Sequence, residues 1–312
     1  MGGQRFNMHP GSTKSLLLNL TLPGDTRVHI LKLRRSKGSP LRQFVDERSH
    51  NINAAVSKLI DMCDVGNLFA RLSRGPVRVV WTNEDGNRGR YVNDDAWMDE
   101  MADGASAEMM LIHRPDIFDL VFPRTKASDW YRAAFFDTLT LQGDRHGEQA
   151  FITEDGKVAL IDTSHRAFSL VDGLNIVWSP GAYYFARNMF GWTYLTNNSK
   201  PPVFHHRKQL SWDIRCTHET KGVDSAAAGL RECADKIKSM STSQIATDLF
   251  ESPLFIAHSR ALKHQANLLH RHGLEHTLRQ TKHSNDSSLV PTKYGFPWLE
   301  PVCLVTFQDQ VL

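Results

Sequence analysis

Leu139-Thr140-Leu141-Gln142-Gly143-Asp144-Arg145-His146-Gly147-Glu148-Gln149 and, shortly after, Leu160-Ile161-Asp162-Thr163-Ser164 are the stretches on which the fold turns. Upstream of them, residues 130–141 carry Phe135, Phe136, Leu139 and Leu141, which predicts a strongly apolar helix. That helix runs into a tight polar loop holding an Asp, an Arg and a His. Ala150-Phe151-Ile152, Glu154-Asp155-Gly156-Lys157 and Val158-Ala159-Leu160-Ile161 then predict a hairpin pinned by an Asp-Gly turn. Its second strand ends on Asp162, eighteen positions after Asp144. Folding that strand back beside the loop lets Asp144 and Asp162 face one space. Two carboxylates with a basic pair alongside suit a metal-nucleotide site. Phosphoryl transfer needs an oriented hydroxyl, a carboxylate on Mg²⁺ and cations on the phosphate oxygens.

Working outward, the first hundred or so residues read as strands plus one helix. Residues 15–22 and Val28-His29-Ile30-Leu31-Lys32-Leu33 flank the turn cluster Pro23-Gly24-Asp25-Thr26, which predicts a hairpin. Residues 46–62 place Ile52, Ala55, Val56, Leu59 and Ile60 at helical spacing. Val77-Arg78-Val79-Val80-Trp81 predicts a strand. Residues 83–93, dense in Asn, Asp, Gly and Arg, predict a loop. Met109-Met110-Leu111-Ile112 predicts a short apolar strand stopping at Arg114-Pro115. The remainder reads as mostly helical, with an aromatic stretch over 178–194 and a long terminal helix over 252–280. No internal repeat is visible. The expectation is an α+β fold in two lobes, residues 1–113 strand-rich and residues 114–312 mainly helical, with a connector at 113–115 and one cleft between them.

The motif order resembles atypical kinases. Asp144-Arg145-His146 before a hairpin, then Ile161-Asp162, is similar to the D-R-H catalytic loop and metal-binding aspartate of that group. Phosphoinositide kinases show G-D-R-H-x-x-N and then I-D-F-G. The secretory-pathway (Golgi) kinases, which phosphorylate secreted proteins or proteoglycan xylose and include the four-jointed kinase, show D-R-H-x-x-E and L-D-N-G. Phe135-Phe136-Asp137-Thr138-Leu139 resembles the F-D-x-L helix of this second group. Phe44-Val45-Asp46-Glu47-Arg48-Ser49-His50-Asn51 with Ala54-Ala55 resembles its first-lobe helix. The resemblance covers residues 28–168 and is only architectural beyond.

It implies a two-lobed protein-kinase-like fold with ATP and Mg²⁺ or Mn²⁺ in the cleft. Asp162 would hold the metal and Asp144 would orient or deprotonate the acceptor hydroxyl. Arg145 would brace the loop, and His146 would share the acid–base work. Lys32 would reach the α/β-phosphates, and the connector after Ile112 would offer backbone groups to adenine. Three departures stand out. Gln149 replaces the Asn or Glu that supplies a second metal ligand, keeping a carbonyl but bringing no charge. Thr163-Ser164 replaces Phe-Gly or Asn-Gly. Ile52 falls where the lysine's glutamate partner belongs, leaving Glu47, more than a turn earlier, as the nearby acid. Phosphoryl transfer to a protein or glycan hydroxyl is the first reading, and a pseudokinase binding or allosteric module the second. A phosphoinositide-type lipid kinase is the third. It has the closer G-D-R-H match but lacks a recognisable membrane-binding helix or polybasic activation segment.

Plainer readings exist for each residue. Asp144-Arg145-His146 also reads as a polar turn with Asp and Arg paired, Lys32 as an exposed strand lysine beside Arg34 and Arg35, and Glu47 as a first-turn helix residue favoured by the dipole. His258, His264, His270, His272, His276 and His283 suggest a metal tract, with His272 and His276 at i, i+4. They lie mostly off the apolar stripe Phe255, Leu262, Leu269, which favours a solvated face. His205-His206-Arg207-Lys208 reads as a surface loop and Tyr183, Tyr184, Phe185, Phe190, Trp192 and Tyr194 as helical core.

Composition narrows the classes. The 312 residues are 41% hydrophobic and 23% charged, which excludes a disordered chain. A net charge of +3, from 37 basic and 34 acidic residues, gives no nucleic-acid footprint. No apolar run reaches the ~18–20 residues of a membrane span. Leu16-Leu17-Leu18 is too short for a signal peptide, and Phe6 breaks the myristoylation pattern. The resemblance implies the secretory lumen, while the absent signal peptide points to the cytosol or to an incomplete start. Cys63, Cys216, Cys233 and Cys303 form no C-x-x-C pair, so a thiolate zinc site is not expected. They read as thiols, with a Cys216–Cys233 bridge conceivable. Sequons at Asn19, Asn197 and Asn285 do not fix the compartment.

Overall fold

The computed structural model describes residues 5–6, 15–21, 27–34, 42–43, 47–82, 88–142, 145, 147–164, 167–168, 208–212, 222–283 and 298–302. Both helices and strands are present. The N-terminal strands are β1 (Arg5–Phe6), β2 (Ser15–Thr21), β3 (Val28–Arg34) and β4 (Arg42–Gln43), followed by helix α1 (Glu47–Met62) and the long strands β5 (Leu72–Thr82) and β6 (Arg88–Glu100). They form one six-stranded sheet in the order β1-β2-β3-β6-β5, with β4 on β3. The β2–β3 hairpin has the register Leu17↔Lys32 and Leu18↔Leu31, as its turn cluster predicts.

The chain leaves this sheet through residues 101–104 and enters β7 (Ala105–Ser106), α2 (Ala107–His113), α3 (Pro115–Val121) and α4 (Ala127–Leu139). Strands β8 (Ala150–Ile152) and β9 (Val158–Leu160) join β7 in a three-stranded sheet. Their turn is closed by Gly156 N–H on the Thr153 carbonyl, and Gly156 takes φ +81° there. A Cβ at that position would meet the Arg124 carbonyl oxygen at 2.5 Å, so only glycine fits. Further on come β10 (Lys208–Trp212), α5 (Val223–Ser239), a helical stretch over 242–249, α6 (Ile256–His283) and β11 (Trp298–Val302), which pairs in parallel with β10. Helix α6 is broken at Gly273, whose φ is +75° and ψ 179°.

Two expected elements change type. Residues 88–93 belong to β6, not to a loop: Val92 pairs with Arg78 and Tyr91 with Val79. The partner strand templates them despite their turn-rich composition. Residues 109–112 lie in α2, not in a strand. A four-residue apolar run is ambiguous by periodicity. The deciding signal is Ser106, whose hydroxyl accepts from Met109 N–H at the helix start, with Glu108 in the first turn.

Helix α1 buries Ile52, Ala55, Val56, Leu59 and Ile60, the face its spacing predicts. Helix α4 is buried nearly all round, from Trp130 to Leu139, and forms the centre of the core. One hydrophobic cluster runs without interruption from α1 through α4 to α5 and α6. Polar ties cross the same ground. Asn51 Nδ2 donates to the Phe250 carbonyl (2.6 Å), and Lys58 pairs with Glu251 (2.9 Å). Cys63 and Cys233 are joined in a disulfide, which corrects both the thiol reading and the Cys216–Cys233 pairing; Cys216 and Cys303 lie outside the described residues. The sequence could not place Cys63, because its partner is brought near by tertiary packing alone. Among the described residues no helix is long and apolar enough to cross a membrane.

Candidate functional site

The apolar face of α4 carries one acid, Asp137, and burial of that face takes it into the core. Its carboxylate is met by Arg145: Nε donates to Oδ2 at 3.0 Å and Nη2 to Oδ1 at 3.2 Å. The two side chains are 0% and 1% exposed. A charge so placed persists only when paired and hydrogen-bonded, and here a two-toothed fork does both. The guanidinium also lies 5.8 Å from the centre of the Phe69 ring, which itself packs on Phe136.

Arg145 has donors left, and they go to the end of β9. Nη1 donates to the Ile161 carbonyl (2.5 Å) and Nη2 to the Thr163 hydroxyl (3.2 Å). Gln142, buried just after α4, donates through Nε2 to the carbonyls of Asp162 (3.2 Å) and Thr163 (2.6 Å). Residues 161–163 are thus gripped by two side chains from one loop. Asp162 sits between the grips with φ +57°, a left-handed conformation that a non-glycine residue keeps only where its surroundings enforce it. Its side chain is half-buried.

The loop is held from outside as well. Ser106 Oγ, at the head of α2, donates to the Gly147 carbonyl (3.3 Å). Gln149 ends the turn 147–149, and its carbonyl accepts from Ile161 N–H (3.0 Å). The Gln149 side chain is buried, and its carboxamide oxygen has no hydrogen-bond partner among the described residues. The segment 68–70 lies along β9, with Leu160 N–H on the Leu68 carbonyl and Ala70 N–H on the Leu160 carbonyl.

Of the residues expected at the site, Arg145, Gln149 and Asp162 come together here. Asp144 and His146 lie outside the described residues. Lys32 stands on β3 opposite Leu17 and Glu47 opens α1, but the side chains of both are outside the described set. Ile52 is buried in the core. At the expected adenine connector, 113–115, Arg114 joins α2 to α3: its N–H donates to the Met110 carbonyl, and its carbonyl accepts from Ile117 and Phe118 N–H. Asp137, Gln142 and Ser106 were not expected as site residues.

The histidine tract is no metal centre among the described residues, where no three His, Cys, Asp or Glu side chains gather. His258 departs from the solvated face: it is half-buried, with its ring 4.7 Å from Phe255 and 5.8 Å from Phe250. The exposed rings of His272 and His276 lie 4.6 Å apart. The aromatic stretch 178–194 and His205-His206 lie outside the described residues.

The chain matches no family model, and no curated protein matches it. Among solved structures it is similar to a proinflammatory kinase, CtkA, from Helicobacter pylori, at 9% identity and a TM-score of 0.34, over 94% of this chain and 98% of that one. It is also similar to the MAP kinase LmaMPK10 from Leishmania major, at 10% identity and a TM-score of 0.31, over 99% of this chain and 92% of that one. Scores this low carry no weight for activity.

Proposed function

We propose that this chain is a kinase-like phosphotransferase that moves a phosphoryl group from ATP to a hydroxyl of a protein or glycan. The observation that supports the reading best is the double grip of Arg145 and Gln142 on residues 161–163, which fixes Asp162 beside the turn carrying Gln149. A catalytic carboxylate must be held to a fraction of an ångström, and a backbone held by several side-chain hydrogen bonds is one way to do it. The buried Gln149 carboxamide oxygen, unpartnered among the described residues, fits the same reading, since hard divalent cations take oxygen donors.

In this proposal Asp162 and the Gln149 carbonyl hold Mg²⁺ or Mn²⁺. When bound, that ion would neutralise charge on the phosphate oxygens. Asp144 orients or deprotonates the acceptor hydroxyl, His146 assists, and Lys32 lies along the α/β-phosphates with Glu47 as its acid. Residues 1–113 and 114–312 form the two lobes.

A thermal-shift titration with ATP, with and without Mg²⁺ or Mn²⁺, tests the reading. Asp162→Asn should abolish the metal-dependent shift. Asp144→Asn should keep it while turnover falls by about 10²–10⁴-fold, as for loss of a general base. Replacing Gln149 by Asn, the shorter carbonyl donor of the phosphoinositide kinases, should strengthen the shift. No shift in the wild type and none in Gln149→Asn would end the nucleotide reading. The second reading, a pseudokinase acting as a binding or allosteric module, is favoured by Ile52. It is packed in the core where the lysine's glutamate would stand, and Ile52→Glu would bury an unpaired charge there. A metal-dependent shift without measurable transfer would select it.

A further inference from the structure

We infer that the Cys63–Cys233 disulfide is a permanent cross-link, closed during maturation, and that the chain is therefore matured in a disulfide-forming compartment. The bond joins the turn after α1 to the middle of α5 across a separation of 170 residues. It does not depend on any reading of the site.

The geometry around it explains why the two sulfurs meet. Cys63 continues the last turn of α1, its N–H on the Leu59 carbonyl. Arg132 on α4 reaches the Asp64 carbonyl and the Asn67 side chain, which pins the turn after Cys63 against the helical region. Earlier in α1, Asn51 donates to the Phe250 carbonyl and Lys58 to that of Asp248. These ties set α1 against the later helices whether or not sulfur is bonded to sulfur. Folding therefore brings the two thiols toward each other as the helices come together, and the closed bond fits the finished packing.

The same packing argues against a switch. Cys63 is 6% exposed and Cys233 1%, both inside the common hydrophobic cluster. Exchange requires a thiolate to approach a disulfide sulfur, and no such approach is open until α1 and α5 separate. Formation must come earlier, while the contact is still loose. The two cysteine thiols give up two protons and two electrons to the disulfide of an oxidising protein, which leaves as a dithiol. Such oxidants act in export compartments and not in a reducing cytosol. Two buried thiols, tolerated as small apolar groups, are the competing state.

The test is peptide mapping of the full chain made with and without export to an oxidising compartment, with thiols alkylated before lysis and digestion without reduction. Exported protein should yield a linked pair of peptides containing Cys63 and Cys233, lighter than their sum by two hydrogens. A small dithiol added to the native protein should leave that pair intact, and the same dithiol in denaturant should break it. The double variant Cys63→Ala/Cys233→Ala should lower the thermal midpoint by about 5–15 °C, the range for losing a long-loop disulfide in a chain this size. Should the variant not fold, the mapping still decides. Both cysteines alkylated in exported protein, or either one linked to Cys216 or Cys303, would overturn the inference. So would ready reduction of the native protein.

Discussion

Arg145 and Arg74 each set a guanidinium against an aspartate through two hydrogen bonds, one inside the core and one at the surface. Arg145 meets Asp137 with both side chains essentially sealed from water. Arg74 on β5 meets Asp95 on β6 at 2.5 and 2.7 Å, and Glu251 at 2.8 Å, with Arg74 37%, Asp95 50% and Glu251 30% exposed. Lys58 on α1 joins the second cluster through Glu251. The bonds look alike, but their surroundings differ. In the core the pair is sealed from water, so solvent cannot stand in for a lost partner. At the surface water stands ready to replace either ion. The buried pair fixes the conformation of residues 161–163, whereas the exposed cluster ties β5, β6 and α1 to residue 251 without closing off alternatives.

The difference is broken or confirmed most directly at Arg145. Arg145→Met should cost about 3–5 kcal/mol, because it removes the forked cationic partner of the buried Asp137 carboxylate. Urea unfolding measures this. Adding Asp137→Leu should recover much of that loss, since the buried negative charge is then gone. The double variant should still show no metal-dependent nucleotide shift, having lost the donors to Ile161 and Thr163. A double variant no more stable than Arg145→Met would mean that the cost lies elsewhere than in the buried charge.

Gln142 should fall between the two extremes. It is buried but neutral, and Gln142→Leu leaves the Asp162 and Thr163 carbonyls without their donor. The expected loss is about 1–3 kcal/mol, the desolvation cost of buried groups left unpaired. A loss as large as that of Arg145→Met would mean that charge is not what separates the two regions.

Much of this was legible in the sequence, and the reasons differ by residue. The β2–β3 and β8–β9 hairpins are set by local turn chemistry, and α1 by the spacing of Ile52, Ala55, Val56, Leu59 and Ile60. Such signals sit within a few residues of what they specify. The role of Asp137 was half legible, since an acid in the run Phe135-Phe136-Asp137 must find a partner if the helix is buried. Nothing local says that the partner is Arg145. Gln142 carries no signal at all, because a carboxamide after a helix reads as an ordinary polar end. The Cys63–Cys233 pair and the Arg74–Glu251 contact were closed to sequence reading for a stronger reason: 170 and 177 residues separate the partners, and only the packed core brings them together. Strand β6 and helix α2 were misread where a neighbour's register or a single capping serine outweighed composition.

The smallest effect is expected at Glu251, and its pH dependence has a definite sign. Lys58, first, and Arg74 hold the Glu251 carboxyl below its ordinary value. Arg74 does the same for Asp95. A carboxyl lowered in the folded state stabilises fully above its unfolded pKa of about 4, and the benefit drains away as pH falls through the lowered value. Glu251→Gln should therefore cost about 0.2–1 kcal/mol at neutral pH, as partly exposed ion pairs do. As pH falls from about 4 through the lowered value the variant and the wild type should converge, because protonation makes the wild-type residue neutral as well. Raising the salt concentration should shrink the neutral-pH difference through screening, while the Arg145→Met deficit, set by burial, should barely move. Unfolding of both variants across pH and salt makes the comparison. If Glu251→Gln cost as much as Arg145→Met, or kept its cost at low pH, exposure would not be what separates the two arginines.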